Sequence, residues 1–193
     1  APPASAHAEV ESETAVAQGV VLDVFDRLPE MTPPDRSKLW VIKSMDLGAR
    51  AGEGVGVYPS VEGSTYPCLV SAVDADGNEV AGVRLPDLTR PVATHAGWNV
   101  RDPETGSPEQ QILMLGFSNW FAATREERSV AEDPRLSLEE RYGSREEYAE
   151  LVRRDAEALV RDGYVLSEDI ELVVQNAVDR YDVAVSRVPA VSI

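Results

Sequence analysis

Two short apolar runs flank a polar turn in the first half of the chain, and this arrangement limits the local fold more than any other feature. The runs are residues 69–73 (LVSAV) and 80–86 (VAGVRLP), and the turn is residues 74–79 (DADGNE). An Asp-Gly pair supplies the positive φ that a tight turn needs, so the pattern predicts a β-hairpin. A calcium loop is the competing interpretation, but Gly77 directly follows Asp76 and the D-x-[DN]-x-[DN]-G spacing is not met.

The C-terminal third carries helix signals at regular intervals. Residues 137–140 (SLEE) open a short helix that Gly143 closes. Ser144 begins a capping-box pattern for a longer amphipathic helix that ends at Gly163, and Ser167 is the expected cap of a last helix. Because a short loop joins these two long helices, we expect them to form an antiparallel pair.

A further helix is expected just before this region. Residues 107–110 (SPEQ) are typical of an N-cap followed by Pro at the first helical position. The run 112–121 (ILMLGFSNWF) is so apolar that we expect it to be buried. The predicted fold class is therefore α+β, with a β-hairpin or small antiparallel sheet followed by a C-terminal helical segment that contains the antiparallel helix pair.

The N-terminal part of the chain is predicted to be an extension of the main domain. Residues 14–28 predict a helix, although the Val-Val-Leu sequence within them also allows a strand. Three prolines within residues 29–34 end this element and form a linker. We therefore expect an extension with one helix and a Pro-rich linker over residues 1–37. The β-hairpin and helical domain, which starts with a short strand at 38–43, then occupies residues 38–193.

The charge balance excludes some classes of function. The net charge is −16, from 34 acidic and 18 basic residues, and such a surface repels phosphates and anionic lipid. Nucleic-acid binding is thus disfavoured. No apolar run approaches the roughly 18 residues that cross a bilayer. The Gly-rich residues 51–57 (AGEGVGV) match neither of the common phosphate-binding patterns, so we read a loop there.

The N-terminus leaves the cellular compartment open. The chain begins at Ala1 rather than Met, so we expect it to be processed, trimmed or a piece of a longer protein. Residues 1–8 end in an A-x-A pattern, but no apolar segment precedes it. Cytoplasmic and exported locations both remain alternatives.

Histidine and cysteine, which form zinc sites and disulfides, are rare in this chain. Cys68 is the one cysteine and lies in a strand-like apolar run, so it cannot form an internal disulfide and is expected to be a small buried side chain. His7 and His95 are the two histidines, which is too few for a zinc site built on His and Cys. We predict neither a metal site nor a cofactor.

Chemically capable side chains are concentrated in residues 92–101. Trp98 offers a stacking face, Asn99 both donates and accepts hydrogen bonds, and Arg101 can clamp a carboxylate. Together with His95 they are the candidate binding residues. The alternative is structural: Trp98 anchors the core while Asn99 and Arg101 hold loop carbonyls, and no nucleophile is paired with a base here.

A carboxylate-based enzyme is a separate hypothesis. Asp74, Asp76 and Glu79 form the densest acidic cluster in the chain. Paired catalytic carboxylates need a cleft that shifts one pKa, whereas a turn this polar is normally solvated. We therefore rank a carboxylate-based enzyme last among the functional hypotheses for this chain.

Three ordered motifs give the chain a family resemblance. Residues 66–86 contain YPCLV and VDADGNEVAGVRLP, residues 97–101 read GWNVR, and residues 140–144 read ERYGS. In this order the motifs resemble the C-terminal part of a family of bacterial α/β-hydrolase domain-containing proteins. The resemblance extends over roughly residues 46–183.

The resemblance implies ester-type hydrolysis with the nucleophile located elsewhere. In such proteins the nucleophilic serine lies on a strand-to-helix elbow well before the matching segment, and this chain has no G-x-S-x-G motif. His95 does not correspond to a triad histidine. His7, in Ala6-His7-Ala8, is faintly similar to the stretch around the family's catalytic histidine, and the alternative is an ordinary terminal histidine.

Two functional hypotheses follow. In the first, the chain is the accessory or C-terminal portion of an α/β-hydrolase-like protein and forms a lid, a pocket wall or a subunit contact. Its partner is then a protein that carries the hydrolase core. In the second, it is a stand-alone binding or assembly module without catalysis, which includes self-association, and Trp98, Trp120 and Arg101 suit contact hot spots.

Overall fold

The structure is a computed structural model of the 193-residue chain. It describes residues 13–31, 33–39, 42–66, 68–102, 104, 106, 111–112 and 115–187. The predicted α+β class is confirmed, since small antiparallel sheets precede a C-terminal helical region. Within the described residues, each of the four sheets has two strands and there are six α-helices.

The N-terminal segment forms the predicted helix at Val-Val-Leu, where the sequence also allowed a strand, and a short strand precedes it. Strand β1 is Ala15–Ala17 and helix α1 is Gln18–Phe25. Strand β1 pairs antiparallel with β4, Leu69–Ser71. Helix α1 buries Val21, Leu22 and Phe25, so the apolar spacing within residues 14–28 gives one buried helical face. The domain division after residue 37 stays a prediction.

The predicted turn at residues 74–79 is present, but the hairpin around it is much shorter than expected. The Asp74 carboxylate accepts hydrogen bonds from the backbone N–H groups of Asp76 and Asn78, both at 3.0 Å. Beyond the turn, the arms are joined by a single bridge between Val73 and Glu79. The second arm forms no strand in residues 81–85, because the chain turns away towards helix α2, Pro86–Thr89.

Strands β2, Lys43–Asp46, and β3, Val61–Thr65, form a separate antiparallel ribbon. The predicted strand at 38–43 is wrong in its position, since residues 36–38 form a 3₁₀ turn capped by Asp35 and the strand begins at Lys43. Nearly every side chain of the ribbon is exposed.

Residues 111–112 and 117–120 form strands rather than the predicted helix. Strand β5 (Ala93–Ala96) pairs with β8 (Phe117–Trp120), and β6 (Asn99–Val100) pairs with β7 (Gln111–Ile112). A short apolar run suits either structure, and here the pairing with a distant strand outweighs the local helix pattern. Leu115 is 60% exposed, contrary to the predicted burial. The proposed cap at residues 107–110 lies outside the described residues.

The predicted antiparallel helix pair is confirmed. Helix α5 is Arg145–Arg161 and α6 is Ile170–Ser186. Ion pairs join the two helices, from Arg145 to Asp182 at 2.7 Å and from Arg153 to Glu171. The predicted cap at Ser167 is wrong, because residues 167–169 form a 3₁₀ turn and no side chain caps α6.

Two short helices precede this pair. Helix α3, Arg125–Val130, was not predicted, although Thr124 and Glu127 form a capping box for it. Helix α4, Leu138–Arg141, is the predicted short helix and has a complete capping box between Ser137 and Glu140. In the described part of the chain, no helix is long and apolar enough to cross a membrane.

The buried apolar residues form two clusters. The larger lies under α5 and α6 and contains Tyr142 and Tyr148, whose ring centroids are 4.8 Å apart. The smaller joins Phe25 and Leu28 to the turn and to β8. Cys68 belongs to neither, since its side chain is exposed and the prediction of a buried cysteine is wrong. It lies directly before strand β4, whose residues are themselves only half-buried.

Candidate functional site

Trp98 connects the candidate site to the smaller core cluster. Its ring makes edge contacts with Phe25, at a centroid distance of 5.1 Å, and with Phe117, at 5.5 Å. Such aromatic pairs stabilise a fold beyond the area that they bury. Trp98 is nevertheless only half-buried, and it lines a cleft as well as the core.

His95 faces Ser118 across the β5–β8 sheet. The two residues are direct partners in the strand register, and His95 Nδ1 lies 2.8 Å from Ser118 Oγ. The other ring nitrogen, Nε2, is buried without a hydrogen-bond partner among the described residues. Burial lowers the pKa of His95, while the nearby Asp87 carboxylate opposes this shift and Arg180 adds to it.

Asn99 and Arg101 do not form a single cluster with His95. The Asn99 side-chain oxygen accepts a hydrogen bond from the N–H of Val100 at 2.7 Å, which holds the local strand end. Asn99 also lines the cleft, while Arg101 is exposed and is not part of its lining. Trp98 and Asn99 thus share a surface with Ser118, the partner of His95. His7 lies outside the described residues.

The cleft has a volume of about 360 Å³ and runs along strand β8. Residues 117–123 form its floor, and Trp98 and Asn99 lie at one end. Pro29 and Met31 border it on one side, while Ala184 and Arg187 border it on another. A smaller pocket of about 130 Å³ lies between α1 and the turn and includes His95 and Trp98.

A buried ion pair, which sequence reasoning missed, fixes the sheet beneath the cleft. Arg135 and Asp133 are 2.7 Å apart, with side-chain exposures of 0% and 3%. Arg135 also donates to Thr94 Oγ1 at 2.7 Å and to Asn119 Oδ1 at 2.6 Å. Its donors therefore hold β5 and β8 together. The one sequence signal is the short Asp-Pro-Arg spacing, which does not reveal burial.

The polar turn is packed against β5 and is not a solvated loop. Asn78 is fully buried; its amide donates to Ala93 O at 3.1 Å and its side-chain oxygen accepts from His95 N–H at 2.8 Å. The expectation of a solvated turn is therefore wrong for Asn78, which satisfies two backbone groups that the sheet leaves unpaired, whereas Glu79 is exposed as expected.

Arginines occupy two of the three carboxylates in this turn. Asp74 pairs with Arg84 at 3.2 Å, and Asp76 pairs with Arg141 at 2.5 Å. Asp74 and Asp76 thus each have a cationic partner, and these two carboxylates do not face each other as a catalytic acid and base do. Across the described ranges, no group of three His, Cys, Asp or Glu side chains is placed to hold a metal ion.

Comparison with known protein families identifies the class. A family described as "Alpha/beta hydrolase domain" matches residues 2–175 of the 193, so the match covers most of the chain. The chain belongs to this family, and the resemblance inferred from its sequence motifs is confirmed. No curated protein and no solved structure matches the chain.

Proposed function

We propose that this chain is an accessory portion of an α/β-hydrolase that acts on ester-type bonds. In this role it forms a wall of the substrate pocket, as a lid or subunit contact, while another polypeptide segment supplies the nucleophile. One observation carries the proposal: Ser118 lines the cleft next to Trp98 and Asn99 and contacts His95, but this pair lacks the remaining parts of a triad.

The pair of Ser118 and His95 departs from a triad in two respects. A triad histidine contacts the serine through one ring nitrogen and an orienting carboxylate through the other, whereas His95 Nε2 has no partner among the described residues. In addition, Ser118 lies within strand β8 and not on a strand-to-helix turn. We therefore assign Ser118 a structural contact and place the nucleophile elsewhere.

The lining of the cleft suits a pocket wall. Trp98, Phe117 and Trp120 supply aromatic surface, and the side-chain amide of Asn99 supplies a hydrogen-bonding group next to it. Ligand pockets combine a mainly apolar lining with a few placed polar groups in this manner. The family membership supports hydrolysis as the reaction to which this surface contributes.

An esterase assay on two preparations tests the proposal. The chain is produced alone, and it is also isolated by affinity tag from cells of its source, together with whatever binds it. We expect no turnover of p-nitrophenyl butyrate by the chain alone, and turnover by the isolated assembly. Replacing Asn99 by Ala in the assembly is expected to raise KM. Turnover by the chain alone would contradict the account, and its loss in Ser118→Ala would place the nucleophile at Ser118.

A stand-alone binding or assembly module is the second candidate, and the β2–β3 ribbon favours it. The ribbon and its loop expose apolar side chains, including Met45 at 50%, Val61 at 61% and Tyr58 at 99%. A two-stranded ribbon without a second layer is only marginally stable in water, and exposed apolar groups of this kind mark contact surfaces. Light scattering of the wild type and of Val61→Thr tests self-association. If the ribbon is a self-contact surface, the wild type forms a dimer and the substitution weakens it.

A further inference from the structure

Within the described ranges, no strand pairs with the outer edge of strand β8. Among the strands that the structure describes, β8 pairs with β5 alone. On the side that faces β5, Phe121 N–H donates to Val92 O at 3.1 Å. Backbone groups alternate between the two sides of an antiparallel strand, so residues 117 and 119 direct theirs to β5 as well. Ser118 and Trp120 consequently direct their backbone groups away from β5.

The next residue in this alternation confirms the direction. Ala122 O accepts a hydrogen bond from Leu138 N at 2.9 Å, on the side away from β5. Trp120 O receives a long contact of 3.5 Å from Arg135 Nη2. Among the described residues, the N–H and C=O of Ser118 and the N–H of Trp120 have no hydrogen-bond partner, and both residues line the floor of the cleft.

The walls of the cleft fit side chains that alternate along an extended chain. Pro29 and Met31 lie on one side of the β8 edge, and Ala184 and Arg187 lie on the other. Arg187 is itself stacked over the Trp120 ring, with its Cζ atom 5.3 Å from the ring centroid. Because successive side chains of a strand point to opposite faces, a strand in the cleft contacts both walls.

We propose that the cleft binds an extended peptide segment that adds a third strand to the β5–β8 sheet. A row of alternating backbone donors and acceptors is matched by another extended backbone, which is the basis of recognition by β-strand addition. The charge of the site selects a segment with Lys or Arg. Glu30 and Glu127 line the cleft together with the cation Arg187, while Asp133 in the same lining is already paired with Arg135; the whole chain carries −16.

This binding surface is the same cleft that the proposed function assigns to the pocket wall, but peptide binding does not depend on where the nucleophile lies. The proposal concerns a complex with peptide and is read out on backbone amides, whereas the proposed function is read out on ester turnover. Each can therefore fail without the other.

The test uses the synthetic peptide acetyl-Val-Lys-Val-Thr-Val-Lys-amide and measures amide hydrogen exchange by NMR. Saturating peptide is expected to slow exchange at Ser118 and Trp120 by about tenfold or more, because hydrogen bonding protects these amides. The outward amide groups of β8 are the sensitive probes, and amides on the outer faces of α5 and α6 are the reference. Unchanged exchange at both β8 amides with millimolar peptide would overturn the proposal.

Two N-methylated peptides provide a test that does not depend on a protein variant. One carries N-methyl groups on its odd residues and the other on its even residues, so each lacks the N–H groups of one edge. Strand addition predicts that one of the two loses binding while the other keeps it. Equal binding of both would contradict strand addition. A third peptide with Glu in place of Lys is expected to bind about tenfold more weakly at low salt.

Ser118→Pro and Ser118→Ala form the matched protein variants. Proline is tolerated on an edge strand whose N–H faces outward, so Ser118→Pro should retain the β5–β8 ladder but lose the outward donor. Ser118→Ala removes the hydroxyl contact with His95 and keeps that donor. We expect Ser118→Pro to lose peptide binding and Ser118→Ala to retain it. Binding retained by a folded Ser118→Pro protein would overturn the proposal; if this variant fails to fold, the N-methylated peptides decide.

Discussion

Arg135 and Asp133 form an ion pair that is almost completely shielded from solvent, with 2.7 Å between the Arg135 Nη2 and Asp133 Oδ2 atoms. Through Thr94 Oγ1 and Asn119 Oδ1, Arg135 also holds the two strands that underlie the cleft. The stability of this sheet therefore depends on a polar interaction as well as on apolar packing.

Arg135→Ala is expected to lower the free energy of unfolding by about 3–5 kcal/mol, because it leaves the Asp133 carboxylate buried without its partner. Urea denaturation followed by circular dichroism measures the change. Arg153→Ala, which removes an exposed ion pair with Glu171, is the control and should have a much smaller effect. Equal losses in the two variants would show that the buried pair has no special role.

Gly77 and Gly82 both have a positive φ, of 84° and 77°, but only Gly77 is enclosed. A Cβ atom at Gly77 lies 2.9 Å from Thr94 Cγ2, whereas nothing approaches within 4 Å at Gly82. Both changes to Ala cost about 1 kcal/mol for the left-handed backbone. Gly77→Ala should cost about 1–3 kcal/mol more because it overpacks the site. Thermal denaturation of the pair measures this difference, and indistinguishable melting temperatures would refute it.

The candidate residues were predicted as one group, and the structure separates them by their packing. Trp98→Ala should lower the unfolding free energy by about 2–3 kcal/mol, since it removes the edge contacts with Phe25 and Phe117. Asn99→Ala and Arg101→Ala, at exposed positions, should change it by less than about 0.5 kcal/mol. Chemical denaturation of the three variants checks this order. A Trp98→Ala protein as stable as the wild type would indicate that Trp98 acts as a contact residue alone.

His95 makes the unfolding free energy sensitive to acid. Its pKa is lowered by burial, so the native state binds this proton less tightly than the unfolded chain, whose value is near 6.5. The contribution of neutral His95 to the unfolding free energy is therefore fully present above pH 6.5. It is lost as the pH falls through the lower pKa of His95 in the folded state. Asp87 and Arg180 are the charged groups that act on His95, in opposite directions.

His95→Gln removes this titration. Between pH 7 and pH 5 the wild type should lose more unfolding free energy than His95→Gln, as measured by urea denaturation at fixed ionic strength. The carboxylates are present in both proteins, so the difference between the curves isolates His95. Parallel curves over this interval would mean that the histidine is not desolvated.

The sequence predicts the α5–α6 pair well because its signals are local. Ser144 lies at the start of α5, and Tyr148, Val152 and Ala156 recur on one helical face. The β5–β8 pairing could not be predicted, because His95 and Ser118 are 23 positions apart and register depends on contacts over that distance. For the same reason, the Trp98 segment was recognised as important but the floor of the cleft was not.

The buried polar network was missed for a related reason. Arg135, Asp133 and Asn78 are residue types that are usually exposed, and only their three-dimensional partners explain their burial. Asp74, Asp76 and Glu79 were predicted to be solvated on the same statistical grounds. A sequence pattern carries no direct sign that an acidic turn is covered by Arg84 and Arg141.

The central claim is that the hydrolytic nucleophile lies outside the described part of this chain, and fluorophosphonate labelling tests it most directly. The reagent reacts with activated serines, and mass spectrometry locates the modified residue. Applied to the assembly isolated from source cells, it should label a serine on a strand-to-helix turn in another segment or in a partner polypeptide, and leave Ser118 unmodified. Stoichiometric labelling of Ser118, abolished by His95→Ala, would contradict the account and make this pair the reactive centre.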